Sequence, residues 1–137
     1  MAKDKYHDLV KKALTELGWD ITDDPYLIAT LQRTLRVDLG AEKVIAAEKD
    51  NQKIAVEIKS FIGISKLHDF YKALGQFTYY HAALEDFEAD RKLFLAIPET
   101  IYSEFFSEPL TQRIVEQQDI KLIVYSVATE LIIKWIE

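Results

Sequence analysis

The sequence contains no cysteine and little glycine or proline. Without cysteine, neither a disulfide framework nor a thiolate metal site is possible. Four glycines and three prolines among 137 residues, of which 49% are apolar, exclude a disordered or collagen-like chain. We expect a single domain that spans residues 1–137 and buries a substantial core.

A long apolar run is also missing. Spanning a bilayer takes roughly 20 consecutive apolar residues, and the sequence has no such run. The first five residues include three charged ones and do not form the apolar segment of a signal peptide. The simplest expectation is a cytoplasmic protein with no membrane partner.

The net charge of −6 would ordinarily argue against nucleic-acid binding, because a protein must neutralise phosphates to bind them. The charge is uneven, however. Basic residues slightly outnumber acidic ones over residues 31–75, whereas residues 76–137 are strongly acidic. The pattern permits a binding face in the middle of the chain, although scattered charges on a solvated surface would give the same pattern.

Apolar periodicity and turn residues predict an α/β domain with a mixed central sheet flanked by helices. Residues 43–48 and 53–62 are β-favouring runs, and the polar cluster between them has the right length for a hairpin turn. Residues 26–36 fit neither a helix nor a strand. The other predicted helices lie at 4–17, at 66–84 behind a Ser65 cap and on either side of Pro109; the other predicted strands lie at 19–21, 93–97, 120–127 and 131–136.

The most distinctive local pattern is an acid and a lysine two residues apart in an apolar strand, Glu57 and Lys59. Strand alternation places both side chains on one face, about 7 Å apart along the chain. Burying such a pair would cost several kcal/mol unless each charge found partners. A hydrolytic metal site would use both: Glu57 supplies an oxygen ligand for Mg²⁺, while Lys59 holds the attacking water and offsets the charge that develops on a phosphate.

The spacing alone is weak evidence. The same acid-x-Lys pattern occurs at residues 90–92 and 119–121, where it is typical of solvated strand starts. An exposed ion pair of little energetic consequence is therefore the alternative interpretation of Glu57 and Lys59. Their apolar setting and a second carboxylate on the hairpin partner separate them from the other two instances.

The partner strand of the predicted hairpin offers a second carboxylate. With the turn near Asn51, Lys59 faces Glu42, and Asp38 lies just upstream. Asp38 and Glu57 then form a candidate metal site. If Asp38 instead bonds its own backbone in a turn, Glu42 is the substitute ligand.

Several blocks of the sequence resemble known families. Asp38 followed by Glu57-x-Lys59, with one helix before and another after, resembles the core of the PD-(D/E)xK nucleases, which have the restriction-endonuclease-like fold. Gln76 and Tyr80 are similar to the Gln-xxx-Tyr element of RecB-like members of that superfamily. More closely, the chain resembles the cyanobacterial XisH family, the excision controlling factors of the fdxN DNA element. This resemblance is carried by Gly-Trp-Asp-Ile-Thr at 18–22, Val-Asp-Leu-Gly-Ala-Glu at 37–42, Ala-Val-Glu-Ile-Lys-Ser-Phe at 55–61 and Ala-Leu-Gly-Gln at 73–76.

The resemblance implies both a site and a setting for it. Asp38 and Glu57 would hold Mg²⁺ or Mn²⁺, and Lys59 would position water. Gln76 and Tyr80 would steady the site or a backbone phosphate. DNA would be the substrate or partner, in programmed excision beside a site-specific recombinase and a small partner protein, XisI.

One departure bears on activity. Many superfamily members carry a glutamate near the start of the first helix, where this chain has His7. A neutral imidazole can contact a water or a phosphate, but it cannot supply the same negative charge. Two classes of function therefore remain: a Mg²⁺-dependent endonuclease, and a non-catalytic accessory protein that binds DNA or a partner such as XisI.

The last predicted strand, 131–136, carries apolar residues on both faces. That is more apolar surface than a terminal edge strand should expose to water. Either the strand lies inside the sheet, or a second chain covers it. We expect a homodimer or a complex with a partner.

Overall fold

The computed structural model describes residues 4–44 and 51–137. Helices and strands alternate irregularly along these residues. In chain order the elements are α1 (His7–Glu16), β1 (Asp20–Asp23), β2 (Tyr26–Ala29), β3 (Thr34–Val37), β4 (Leu39–Val44), β5 (Asn51–Ile58), α2 (Lys66–Phe87), β6 (Lys92–Pro98), α3 (Glu99–Glu104), α4 (Pro109–Gln117), β7 (Lys121–Ser126) and β8 (Leu131–Ile136).

A six-stranded sheet in the order β1-β4-β5-β6-β7-β8 forms the centre of the fold. β5, β6 and β7 run parallel to one another, whereas the β1–β4, β4–β5 and β7–β8 pairs are antiparallel. β2 and β3 form a separate antiparallel hairpin. The sheet is therefore mixed, and helices flank it, as the sequence predicts.

Each face of the sheet packs against a different set of helices. Ile54 and Val56 of β5 share a core with Val10 and Leu14 of α1. Ala55, which points the other way, belongs to the core built with α2, α3 and α4. Alternation along β5 therefore directs Glu57 to the α2 side of the sheet.

The Ser65 side chain caps α2 as predicted, because its Oγ accepts a hydrogen bond from the His68 N–H at 3.2 Å. The buried stripe of α2 includes Phe70 and Phe77. The helix continues to Phe87, three residues beyond the predicted end. Its polar residues keep it from being a membrane span, and no helix within 4–44 and 51–137 is long and apolar enough to cross a bilayer.

The predicted hairpin exists as β4 and β5, but the predicted register is wrong. Asn51 and Gln52, expected in the turn, belong to β5. The rest of the predicted turn and the end of its first strand fall on residues 45–50, which lie outside the described residues. Glu42 consequently lies opposite Lys53 rather than opposite the lysine of the Glu-x-Lys pair.

Residues 26–36, which fit neither template, form the β2–β3 hairpin. Its turn contains no glycine and is closed by Thr30, whose Oγ1 accepts from the Arg33 N–H at 3.0 Å and donates to the Arg33 carbonyl at 2.7 Å. Tyr26 and Ile28 are buried, whereas Leu27 between them is exposed. This alternation is what a strand with one covered face requires.

β8 is an edge strand, so the alternative that placed it inside the sheet is wrong. Ile132 and Trp135 pack against the α1-side core. Leu131 and Ile133 remain about half exposed, at 48% and 46%. The pairing with β7 is interrupted by a register shift near Ile133, an irregularity common on edge strands. An exposed apolar edge is therefore present at this side of the sheet.

Candidate active site

Asp38 and Glu57 meet at one end of the β4–β5 hairpin. Leu39 pairs with Val56, so that Asp38, the residue before β4, lies opposite Glu57. The Asp38 N–H donates to Glu57 Oε1 at 3.3 Å, and the Ile58 N–H donates to Asp38 Oδ2 at 2.7 Å. Asp38 therefore bonds across the hairpin and not within its own turn. The reciprocal bonds hold the two carboxylates side by side.

Lys59 is held beside this pair by the sheet. Its backbone N–H donates to the Ala96 carbonyl at 3.0 Å, which extends the pairing of β5 with β6 by one residue. Its Nζ lies 3.3 Å from Glu57 Oε2. The Glu57 side chain is only 7% exposed and that of Lys59 26%. The exposed ion pair considered from the sequence is thus excluded, because the acid is buried.

Both carboxyls bind protons more tightly than usual. Burial, followed by the charge of Asp38, raises the pKa of Glu57 to about 7, although Lys59 acts in the opposite direction. Burial also raises the pKa of Asp38 against the lowering effect of the Ile58 N–H bond. One ammonium therefore compensates two desolvated carboxylates incompletely. An additional cation would stabilise their ionised forms.

α2 contributes Tyr80 and Gln76. Burial, and then the charges of Glu57 and Asp38, raise the pKa of Tyr80 to about 12, so the phenol keeps its proton at neutral pH. Gln76 lies one turn earlier on the same helix face. Its Oε1 is buried and has no hydrogen-bond partner within the described ranges. Tyr80 is thus a donor beside the carboxylates, and Gln76 is a buried acceptor one turn away.

His7 lies at the first turn of α1 and is 3% exposed. Its Nε2 lies 2.8 Å from Asp24 Oδ1, whereas its Nδ1 is buried without a partner in the part of the chain that the structure describes. The ring is close enough to Asp38 for its charged form to lower the pKa of that carboxyl. The structure therefore places His7 within electrostatic range of Asp38.

Glu42 is not brought to the site, which corrects its prediction as a metal ligand. Four residues separate it from Asp38 along β4, about 13 Å at the rise of a strand. Its Oε1 lies 3.8 Å from Nη2 of Arg91, a buried residue that also pairs with Glu88 at 2.7 Å. Arg91 Nη1 donates to the Ile54 carbonyl at 2.8 Å. Glu42 thus belongs to a structural ion cluster at the other end of the hairpin.

The donor set fits Mg²⁺ better than a metal ion that needs three or more protein ligands. Among the described residues, no group of three or more His, Cys, Asp and Glu side chains is arranged to hold a metal ion. Mg²⁺ is usually bound by one or two carboxylates and keeps several waters. Asp38 and Glu57 supply that pair, and the buried, unpartnered atoms His7 Nδ1 and Gln76 Oε1 are suited to hydrogen bonds with waters. The residues present therefore fit a hydrated magnesium ion.

A small cleft opens from the solvent beside Lys59. It holds about 150 Å³ and is lined by Asp4, Lys72 and residues 60–63, among others. Lys59 thus connects the buried Glu57 to open surface, and Lys72 adds a second cation at the same opening. A phosphate entering here would meet two ammonium groups, although the carboxylates of Asp4 and Asp69 line the same cleft.

Sequence reasoning missed two acids that organise the site. Asp24 holds His7, and Asp4 accepts from the Ser60 N–H and the Tyr6 N–H, both at 2.9 Å. Asp4 thereby ties the start of α1 to the segment after Lys59. The His7–Asp24 and Ser60–Asp4 contacts join residues 17 and 56 positions apart, so no local spacing signals them. The only cue at Asp24 is the turn-forming proline that follows it.

Comparison with known proteins identifies relatives over the full length. A family model described as XisH protein matches residues 1–133. The crystal structure of an XisH family protein from Nostoc punctiforme PCC 73102 is 37% identical, covers 98% of this chain and 100% of that chain, and superposes with a TM-score of 0.89. No curated protein matches the chain.

A second solved structure is similar to the same extent. It is an fdxN element excision controlling factor protein from Anabaena variabilis, 41% identical, with 96% of this chain and 98% of that chain covered and a TM-score of 0.86. These identities extend over a shared fold and over nearly every residue of each protein. The chain belongs to the XisH family.

Proposed function

We propose that this protein is a DNA-excision controlling factor that hydrolyses DNA phosphodiesters with a divalent metal ion, on a PD-(D/E)xK, restriction-endonuclease-like core. The observation that carries the proposal is the convergence of Asp38, Glu57 and Lys59 at one hairpin end, where the acids are desolvated and each carboxylate accepts a hydrogen bond from a backbone N–H of the facing strand. The setting comes from the Anabaena variabilis relative, which is named as an excision controlling factor of the fdxN element.

Asp38 and Glu57 would hold Mg²⁺ or Mn²⁺ with their carboxylate oxygens. When bound, the ion would polarise the phosphodiester and make water a better nucleophile. Reciprocal backbone bonds keep the two carboxylates in place before any ligand arrives. This preorganisation avoids rearrangement of the site during the reaction.

Lys59 and Tyr80 would act on the phosphate and the water. The Lys59 ammonium is charged, partly exposed and anchored through Glu57, so it can offset negative charge as it develops on the phosphate. Tyr80 keeps its proton and can donate a hydrogen bond to a phosphate oxygen. Gln76 and His7 would accept hydrogen bonds from water in the site.

DNA would approach through the cleft beside Lys59 and Lys72. The net charge of −6 means that phosphate contacts depend on few cations, so we expect weak binding that falls steeply with salt. The proposed setting also includes a site-specific recombinase and XisI as partners. A protein that kept the charged site but lost hydrolysis would instead act by binding DNA or XisI.

The test is nicking of supercoiled plasmid by the purified protein. We expect nicked DNA with Mg²⁺ or Mn²⁺, and none after the metal is removed with a chelator, because the carboxylates alone cannot activate water. Nicking that survives the chelator would contradict the proposal. If the protein does not nick the plasmid but retards the migration of the plasmid or of XisI in a native gel, the accessory role would be favoured.

We also propose that the exposed β8 edge is covered by a second copy of the chain. Leu131 and Ile133 are the exposed apolar side chains that the second copy would cover. We expect sedimentation equilibrium to give a dimer that Ile133→Lys converts to a monomer, because a charge on an edge strand opposes pairing. A wild-type protein that stays monomeric at high concentration would contradict the homodimer. XisI would then be the next partner whose binding should be measured.

A further inference from the structure

The buried His7 is bonded to the partly exposed Asp24, and the proposed hydrolysis does not explain this pair by itself. His7 is almost fully buried, yet only one of its two ring nitrogens has a partner within the described residues. A buried polar atom without a hydrogen bond is costly and uncommon in folded proteins. The arrangement therefore calls for a ligand at Nδ1.

The chemistry of Asp24 decides which kind of ligand. Burial opposes its ionisation, but hydrogen bonds from Lys11 and His7 more than compensate and lower the pKa of Asp24. Its Oδ2 lies 2.8 Å from Lys11 Nζ, and its Oδ1 lies 2.8 Å from His7 Nε2. An ionised carboxylate has no proton to donate and only accepts. Nε2 must therefore carry the proton of this bond.

A neutral imidazole has a single N–H, so the proton on Nε2 leaves a lone pair on Nδ1. The two nitrogens point in widely different directions, and Nδ1 thus points away from Asp24. The His7 N–H donates to the Asp4 carbonyl at 3.1 Å, and Asp4 Oδ2 accepts from the Ser60 N–H at 2.9 Å, at the end of the Glu-x-Lys strand. The charge of the ring also acts on Asp38, so the carboxylate site is the place for a ligand of that lone pair. An anionic phosphate oxygen has nothing to donate to a lone pair, whereas a water has.

We infer that Asp24 is a positioning residue that locks His7 in the Nε2–H tautomer, so that Nδ1 accepts a hydrogen bond from a water in the Asp38–Glu57 site. This inference rests on the proposed function for the role of that water, but the tautomer itself does not depend on it. A carboxylate that accepts a hydrogen bond from one ring nitrogen commonly fixes the orientation of a functional histidine. In this site, His7 orients water and Lys59 faces the phosphate.

The test is ¹⁵N NMR of the His7 ring in the metal-free protein at mildly alkaline pH. We expect a protonated Nε2 and a bare Nδ1 in the wild type. Asp24→Asn can donate as well as accept, so we expect a mixture of both tautomers. Asp23→Asn is the matched control: it makes the same change one residue away, on a carboxylate that bonds Thr22, and should leave the tautomer unchanged.

Adding Mg²⁺ tests the water. We expect an upfield shift of the wild-type Nδ1 resonance that is lost in Asp38→Asn. A proton on wild-type Nδ1, an unchanged tautomer in Asp24→Asn, or no response to Mg²⁺ would each overturn the inference. If the wild type nicks DNA, Asp24→Asn should lower kcat by about 10- to 100-fold with KM unchanged. If the wild type nicks no DNA, the proposed function fails, but the NMR measurement of the His7 tautomer still tests the role of Asp24.

Discussion

Replacing Lys59 with alanine is expected to lower metal-dependent nicking of DNA by at least about 100-fold. The side chain supplies the ammonium nearest the buried carboxylates, with its Nζ 3.3 Å from Glu57. Without it, negative charge that develops on the phosphate is less compensated, and the attacking water loses a contact. The measurement is the rate of plasmid nicking with saturating Mg²⁺.

Two lysines provide matched controls for this variant. Lys92 and Lys121 occur in the same acid-x-Lys pattern at the starts of β6 and β7, where they pair with Glu137 and Asp119 on the surface. Lys92→Ala and Lys121→Ala should nick DNA like the wild type. The far-ultraviolet circular dichroism of Lys59→Ala should match the wild type, because the lysine backbone bond to β6 remains. Equal nicking by Lys59→Ala and the wild type would assign the cleavage to a contaminant.

Glu57→Gln is expected to make the metal-free protein more stable at about pH 8 while abolishing its response to Mg²⁺. The folded state raises the pKa of this carboxyl from the ordinary 4.5 to about 7. Between these values the folded protein binds more protons than the unfolded chain, so its stability falls as the pH rises. Above about pH 7 the folded protein carries the full cost of ionising the buried Glu57. This cost is up to about 3 kcal/mol, at about 1.4 kcal/mol per pKa unit.

Glutamine removes that cost because it has the same shape and no charge. We expect the free energy of unfolding of Glu57→Gln to exceed that of the wild type by about 1–3 kcal/mol at about pH 8, with the difference vanishing below about pH 4. Mg²⁺ at 100 times its dissociation constant should stabilise the wild type by about 2.7 kcal/mol and leave the variant unaffected. Denaturant titrations at several pH values measure both effects.

Glu85→Gln is the matched control for the Glu57 variant. Glu85 is exposed on α2, and its ion pair with His81 is a surface contact. We expect its stability to lie within about 0.5 kcal/mol of the wild type at every pH. A Glu57→Gln protein that is less stable than the wild type at both ends of the pH range would mean that the carboxylate serves the fold rather than a ligand.

The apolar setting of Glu57 and Lys59 was enough to single them out from the sequence. A strand of alternating Ile and Val around a charged pair predicts burial, and Glu57 is buried. Asp38 was also predicted correctly as its neighbour. Local patterns indicate strand alternation and the antiparallel pairing of β4 with β5, but the convergence of these residues also requires the register that sets Leu39 opposite Val56.

The hairpin register could not be read in the same way. The polar run at 49–52 has no Asn-Gly or Asp-Gly pair to fix the turn. Centring the turn near Asn51 placed Glu42 opposite Lys59, whereas the observed pairing sets Glu42 opposite Lys53. The register decides which carboxylate joins the site, and it depends on tertiary packing.

Long-range contacts set a second limit. His7 and Asp24 are 17 residues apart and belong to different elements, so their bond is visible only once α1 is packed against the sheet. The β2–β3 hairpin was not predicted for a different, local reason: its turn is closed by the Thr30 side chain and contains no glycine. Periodicity predicts which face of an element is buried, but it does not predict which polar side chains meet across that face.

The most direct test of a metal site at Asp38, Glu57 and Lys59 is a crystal soaked in Mn²⁺ and measured at a wavelength where manganese scatters anomalously. An anomalous peak between the carboxylates of Asp38 and Glu57, with the Lys59 ammonium beside it, is the predicted result. A peak found instead at the distant Glu42 cluster, or no peak near Asp38 at a Mn²⁺ concentration that supports nicking, would contradict the account.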